Sequence, residues 1–168
     1  MKLVNIPASV YISVVQQHSL LKDYILQQIQ SMGENRHDFI SNTDWHLGKD
    51  YVRPYFEVVR PIIDNHNEQI RTLLEYETIK TINYWFQQYK TGDWHGWHIH
   101  NACVFSNVYF VNLNGDNPKT RFRYLGEEFS VPVEEGMIIT FPSYLQHQSP
   151  ENKSTETKTV VAWNTDCN

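Results

Sequence analysis

Cysteine is nearly missing from this 168-residue chain: only Cys103 and Cys167 occur, and neither sits in a Cys-x-x-Cys pair. A disulfide framework and a cysteine-rich zinc site are thereby excluded, and a reducing cytoplasm is the expected setting. Long apolar runs are missing as well. None approaches the ~20 residues of a transmembrane helix, and the N-terminus after Lys2 lacks the apolar stretch of a signal peptide. Positive charge is in the minority, with a formal net charge of −5. That argues against a nucleic-acid binder working through a broad basic surface and leaves one local cluster, Lys119, Arg121 and Arg123. Internal repeats and low-complexity tracts are absent. The length therefore suits a single domain, residues 1–168, large enough to bury a substantial core.

Aromatic residues, by contrast, are plentiful at 14%, with five Trp and ten Tyr, which predicts apolar clefts as well as core packing. Residues 1–80 read as a supporting layer. Val10-Tyr11-Ile12-Ser13-Val14-Val15 is β-prone. Leu21, Tyr24, Ile25, Gln28, Ile29 and Met32 recur at helical spacing, with Gly33 placed to end the helix. A polar loop is expected over 34–53. A second helix is expected from about Pro61, a first-turn residue, with Ile62, Ile63, His66, Ile70, Leu73 and Leu74 as its stripe. Residues 81–168 read as strands at 82–89, 103–113, 121–124, 129–133, 137–141 and 158–163, punctuated by Asn114-Gly115-Asp116, Gly126 and Glu134-Glu135-Gly136. The expected fold is mainly β (α+β), an antiparallel sandwich or barrel such as a double-sheet jelly roll, with the N-terminal helices packed on one sheet.

The residues that point to chemistry are histidines. In Gly92-Asp93-Trp94-His95-Gly96-Trp97-His98-Ile99-His100, His98 and His100 are spaced i, i+2, so on an extended segment both imidazoles share a face. His147 follows the apolar run 136–142 at a strand end, where it can close a site from a distant stretch. Three imidazoles on one side of an ion, with positions open opposite, suit a non-haem metal oxygenase. A polar rim of chance histidines is the alternative reading, and His95 can replace either neighbour if the register differs. His18, His37, His46 and His66 have no partner at ligand spacing and are taken as surface or core residues. In the last strand Lys158, Val160, Ala162 and Asn164 alternate with Thr159, Val161 and Trp163. If the first set faces inward, Lys158 becomes a buried cation in need of an anion, for which a dicarboxylate would serve; if the second does, it is solvated. Arg121 and Arg123 share a face that is more simply a solvated one. Trp94, Trp97 and Tyr144 are candidate substrate walls, or ordinary packing.

Taken in order, Asn83 to Trp85, Trp97-His98-Ile99-His100, Ser106-Asn107-Val108-Tyr109-Phe110-Val111, 136–147 and 158–164 resemble the 2-oxoglutarate- and Fe(II)-dependent oxygenases related to prolyl 4-hydroxylases. Ser41-Asn42-Thr43-Asp44-Trp45 resembles that family's N-terminal loop, so the likeness spans most of the chain. The resemblance implies a double-stranded β-helix (jelly roll) with iron at its mouth, held by His98, His100 and His147. It implies 2-oxoglutarate bound at Lys158, with Tyr109, Ser106 and Asn164 as further cofactor-pocket residues, and molecular oxygen as co-substrate. The implied reaction is hydroxylation of an unidentified protein residue or small molecule, with release of succinate and CO2. Three departures stand out. His100 occupies the place where the wider superfamily has Asp or Glu, leaving the bound metal one charge more positive. Lys158 stands where Arg is commoner and lacks its bidentate fork. Ser-Asn-Val-Tyr-Phe replaces Ser-Gly-Val-Tyr-Tyr. Two rivals stay open: a cupin-type three-histidine dioxygenase independent of 2-oxoglutarate, whose motif would want a Glu near Val104 or Phe105, and a non-catalytic jelly-roll binding module.

Overall fold

The computed structural model describes residues 8–37, 40–48 and 50–168, excepting the side chain of His37, so the expectation for that histidine lies outside the described residues. In chain order the elements are β1 (Tyr11–Val14), α1 (His18–Ser31), β2 (Arg36–His37), β3 (Ser41–Thr43), α2 (Pro54–Leu73), β4 (Ile79–Tyr89), β5 (His95–His98), β6 (Phe105–Asn112), β7 (Arg121–Tyr124), β8 (Glu127–Ser130), β9 (Met137–Pro142), β10 (Gln146–Ser149) and β11 (Lys158–Cys167). All pairings are antiparallel. They form a seven-stranded sheet, β1-β9-β6-β11-β4-β3-β2, and a four-stranded sheet, β5-β10-β7-β8. From β4 to β11 the chain passes back and forth between the two, which leaves β11 between β4 and β6, and β10 between β5 and β7. The expected combination of two helices with a mainly β, antiparallel body is what the chain adopts.

The helices follow their apolar stripes. In α1 the buried residues are Ile25 and Ile29, one turn apart, and Gly33 (φ 76°) closes the helix in a left-handed conformation that its missing Cβ makes accessible. The second helix starts at Pro54 rather than near Pro61. Either proline suits a first turn, where its absent N–H goes unused, but Tyr55 and Val59 extend the buried stripe of Ile62, Ile63, His66 and Ile70 backward by two turns. Burying that longer stripe outweighs the single intrahelical bond forfeited at Pro61. The expected loop over 34–53 also needs correction, since it contains β2 and β3, which extend the large sheet beyond β4. A buried ion pair organises this polar stretch. Asp44 Oδ2 accepts from Arg53 Nε at 2.7 Å and from the Tyr55 hydroxyl at 2.8 Å, while Oδ1 accepts from the Phe86 amide at 2.8 Å.

The large sheet buries both of its faces. On one, Phe86, Tyr109, Val161 and Trp163 pack against Ile25, Ile29, Tyr55, Val59 and Ile63 of the helices. On the other, Phe110, Ile139, Phe141 and Val160 meet Phe122, Val133 and Leu145. His66 belongs to the helix-side core, bonded to Ser13 Oγ (2.9 Å) and Thr140 Oγ1 (2.6 Å); burial pushes its pKa down to about 4. His18 bridges the Tyr109 hydroxyl and Glu135. Among the described residues no helix is long and apolar enough to cross a membrane.

Trp163 ties the layers together: fully buried on β11, it donates its indole N–H to Asn67 Oδ1 of α2 at 3.1 Å. Trp163→Ala should cost about 3–5 kcal/mol in urea unfolding; a loss below about 1 kcal/mol would show that this packing is not what holds helix to sheet.

Candidate metal centre

Register in the small sheet brings two of the histidines face to face. His147 of β10 is paired with His98 of β5, and His100 lies just past the end of β5, its backbone amide donating to Ser143 O at 3.0 Å. The ligand nitrogens of His98, His100 and His147 all lie within 4.8 Å of one another. Ring centroids are 4.2 Å apart for His98–His147, 5.1 Å for His100–His147 and 5.2 Å for His98–His100.

Each imidazole has its Nδ1 committed to an oxygen: His98 to Gly96 O at 2.7 Å, His147 to Leu145 O at 3.0 Å, His100 to Asn164 Oδ1 at 2.9 Å. A carbonyl or amide oxygen can only accept, so Nδ1 carries the proton and Nε2 keeps its lone pair. Asn164 Oδ1 is itself fixed by the Ser106 hydroxyl at 3.0 Å. Such outer hydrogen bonds set the tautomer and orientation of metal-binding imidazoles. Desolvation, reinforced by the neighbouring rings, pushes His100 down to about 4 and His147 to about 2, and burial also lowers His98. All three rings are neutral donors at neutral pH. The Nε2 lone pairs are thus the ones available to a metal, to which imidazole bonds run at ~2.1 Å. The donor set therefore fits a divalent transition metal of the zinc, copper, iron or nickel kind.

His95 stands apart from this group. Its ring stacks on His98 at 4.0 Å, and its Nδ1 accepts from Gln87 Nε2 at 3.2 Å.

The three imidazoles line a cavity of about 580 Å³ between the two sheets. The face of β11 carrying Lys158, Val160, Ala162 and Asn164 lines it, while Val161 and Trp163 turn to the helices. Lys158 is 1% exposed. Its ammonium donates to Pro118 O (2.8 Å) and Ser149 Oγ (3.0 Å) and sits 5.2 Å from the Tyr89 ring centroid. Among the described residues no carboxylate pairs with it, and burial pushes its pKa down to about 7.

Ser106 and Asn164 line the cavity, but Tyr109 does not. Correcting the expectation for Tyr109, the structure puts it on the opposite face of β6, with its hydroxyl on His18. The reason is alternation: Ser106, Val108 and Phe110 face the cavity side, so Tyr109 must face the helices. Trp94 and Tyr144 are exposed and Trp97 stacks with Arg123 at 4.3 Å; none of the three lines the cavity. Arg121 and Arg123 lie on the solvated face, both paired with Glu128. Lining residues not anticipated are Trp45, Asn83, Trp85, Gln87 and Tyr89. The last four alternate along β4, a legible signal; nothing local marks Trp45.

No protein-family model matches the sequence, and no curated protein is detectably similar to it. Solved structures do match. A Pseudomonas putida prolyl 4-hydroxylase is 13% identical with a TM-score of 0.66, covering 94% of this chain and 92% of that one. The viral collagen prolyl hydroxylase of Paramecium Bursaria Chlorella virus-1, solved as its 2-oxoglutarate complex, is 14% identical with a TM-score of 0.69, covering 93% and 94%. An oxidoreductase of the 2-oxoglutarate–Fe(II) oxygenase family from Burkholderia pseudomallei is 12% identical with a TM-score of 0.60, covering 67% and 56%. This chain shares their fold.

The lowered pKa of Lys158 gives a signed expectation. Between about 7 and the ordinary 10.5 the unfolded chain binds the proton that the folded chain has lost, so stability rises with pH across that window. Lys158→Met should remove this rise, a few kcal/mol at most, in denaturation curves recorded from pH 6.5 to 10.5. An unchanged slope would mean that Lys158 is hydrated.

Proposed function

We propose that this chain is a non-haem Fe(II)- and 2-oxoglutarate-dependent dioxygenase that hydroxylates an unidentified substrate with release of succinate and CO2. Residues 1–168 act as one domain, in which 1–80 support a double-stranded β-helix (jelly-roll) core over 81–168. The observation that carries the reading is the pairing, within one cavity, of a three-imidazole cluster with a buried ammonium that has no carboxylate partner among the described residues. The shared fold supports it, because the matching oxygenases include one bound to 2-oxoglutarate.

His98, His100 and His147 would hold iron through Nε2, on one side only, leaving its other side toward the cavity. Bound there, iron supplies the coupling of 2-oxoglutarate decarboxylation to attack by molecular oxygen on a C–H bond. Lys158 would receive the far carboxylate of 2-oxoglutarate, with Ser149 Oγ already fixing the ammonium. A diacid is favoured over a monoacid because its second carboxylate would meet the desolvated ammonium, which has no carboxylate partner among the described residues. Asn164 and Ser106 act through His100, whose tautomer they hold. Trp85, stacked on His100 at 5.6 Å, closes that side to water. The two unpaired thiols, Cys103 and Cys167, suit a cytoplasmic setting.

Succinate release measured with Fe(II), oxygen and 2-oxoglutarate tests this directly. Even without the natural substrate, slow uncoupled turnover is expected. His147→Ala should abolish it, and Lys158→Met should raise the KM for 2-oxoglutarate at least tenfold with a smaller effect on kcat. Oxygen consumption that proceeds equally without 2-oxoglutarate would contradict the proposal and favour a cosubstrate-free three-histidine dioxygenase.

A further inference from the structure

The cavity extends past the imidazoles along the wall formed by β3 and β4. Among the described residues that wall carries no charged side chain, unlike the Lys158 end. Among them no Asp, Glu or Arg lines the cavity, and Lys158 is its only lysine. Once Lys158 holds a carboxylate, a charged group on the substrate would be buried here without a partner, which is strongly unfavourable.

The same wall has buried polar groups that no described residue satisfies. Buried side-chain oxygens almost always have a hydrogen-bond partner. Among the described residues the exceptions are Ser41 Oγ, Asn83 Oδ1 and Thr165 Oγ1, and the first two belong to side chains lining the cavity. Ser41 is only 1% exposed. Asn83 contrasts with Gln87, which alternates with it on the same face of β4. Gln87 is saturated within the protein, accepting from the Tyr89 hydroxyl at 2.8 Å and donating to His95. Asn83 keeps its oxygen free. Its position is also informative, because Asn83 pairs with Asn164 across the strands, and Asn164 holds His100. Asn83 therefore stands one strand spacing, about 4.8 Å, from the residue that orients a candidate metal ligand. Trp85 and Trp45, an edge-to-face pair 4.4 Å apart, line the same cavity.

We infer that this wall selects the substrate's reacting end as an uncharged group that donates a hydrogen bond to Asn83 Oδ1. The inference rests on the dioxygenase reading for what happens next, but not for the binding itself. Substrates carrying a phosphate, carboxylate or ammonium at that end are excluded, whereas amides, lactams and neutral hydroxyl-bearing rings are accepted. Asn83 acts as a specificity residue.

The test uses three matched fragments, benzamide, benzoate and benzylammonium, titrated into the full chain with tryptophan fluorescence and amide-resolved NMR as readouts. One arm contains Fe(II) and saturating 2-oxoglutarate without oxygen. A second arm is metal-free Lys158→Met, which removes the competing anion site and stays readable if iron chemistry fails. Benzamide is expected to bind at least tenfold more tightly than either charged fragment in both arms. Asn83→Ala should weaken benzamide at least fivefold, and the equal-sized Asn83→Asp should turn the preference toward benzylammonium. The inference is overturned if a charged fragment binds as well as benzamide, if neither Asn83 variant changes benzamide affinity, or if none of the three binds saturably. In each of those cases 2-oxoglutarate-dependent succinate release is unaffected, so the two readings fail separately.

Discussion

Three hydrogen bonds from imidazole Nδ1 to oxygen determine what this cavity can hold. Gly96 O and Leu145 O are backbone groups two residues before the histidines they fix, so local chain path alone orients His98 and His147. His100 has left the strand and has no such neighbour; it depends on Asn164 from β11 instead. With Nδ1 protonated in all three, the Nε2 lone pairs are left free within one close cluster, and burial keeps the rings uncharged. If any one ring were free to flip, the cluster would lose the geometry that distinguishes a ligand set from crowded histidines. The fold meets this demand by pairing β5 with β10 in the register that sets His98 opposite His147.

Strand β11 joins that cluster to the rest of the molecule. It is buried on both faces over most of its length, with Val161 and Trp163 in the helix-side core and Lys158 and Asn164 on the cavity side. The helix-side packing is strong enough to hold in place an unfavourable feature, a desolvated lysine without a counter-charge among the described residues. Such a group weakens the ligand-free fold and strengthens anion binding by the same physical effect. Stability and selectivity are thus traded along a single strand, and the helices α1 and α2 serve the site although no atom of either lines the cavity.

Much of this was legible in the residues themselves. Alternation in 158–164 offers two faces, and the Val161/Trp163 side turns out to be apolar core while the other lines the cavity, as the inward option requires. The i, i+2 spacing of His98 and His100 puts their rings within 5.2 Å, although His100 lies just beyond β5. What escaped the sequence did so for physical reasons. Gln146-His147-Gln148-Ser149 carries no β-branched or apolar residue, yet it forms β10 because pairing with β5 and β7 satisfies its backbone. The stretch 34–53 reads as a solvated loop because the buried pair that anchors its described part, Asp44 with Arg53 nine residues on, is polar and leaves no periodicity. Family likeness places Tyr109 in the cofactor pocket, but its parity with Val111 and opposite phase to Ser106 put it on the helix side. Trp94, Trp97 and Tyr144 flank the motifs in sequence but do not line the cavity. Its aromatic wall comes instead from Trp85, on the preceding strand β4, and from Trp45, ahead of α2.

The direct test of this three-imidazole ligand set is X-ray absorption at the iron edge, on the full chain loaded anaerobically with one equivalent of Fe(II) and 2-oxoglutarate. Three imidazole nitrogens bound to a single iron, completed by oxygen donors from the keto acid, are the predicted result. A spectrum with one imidazole or none, or iron dispersed over the acidic surface, would contradict it.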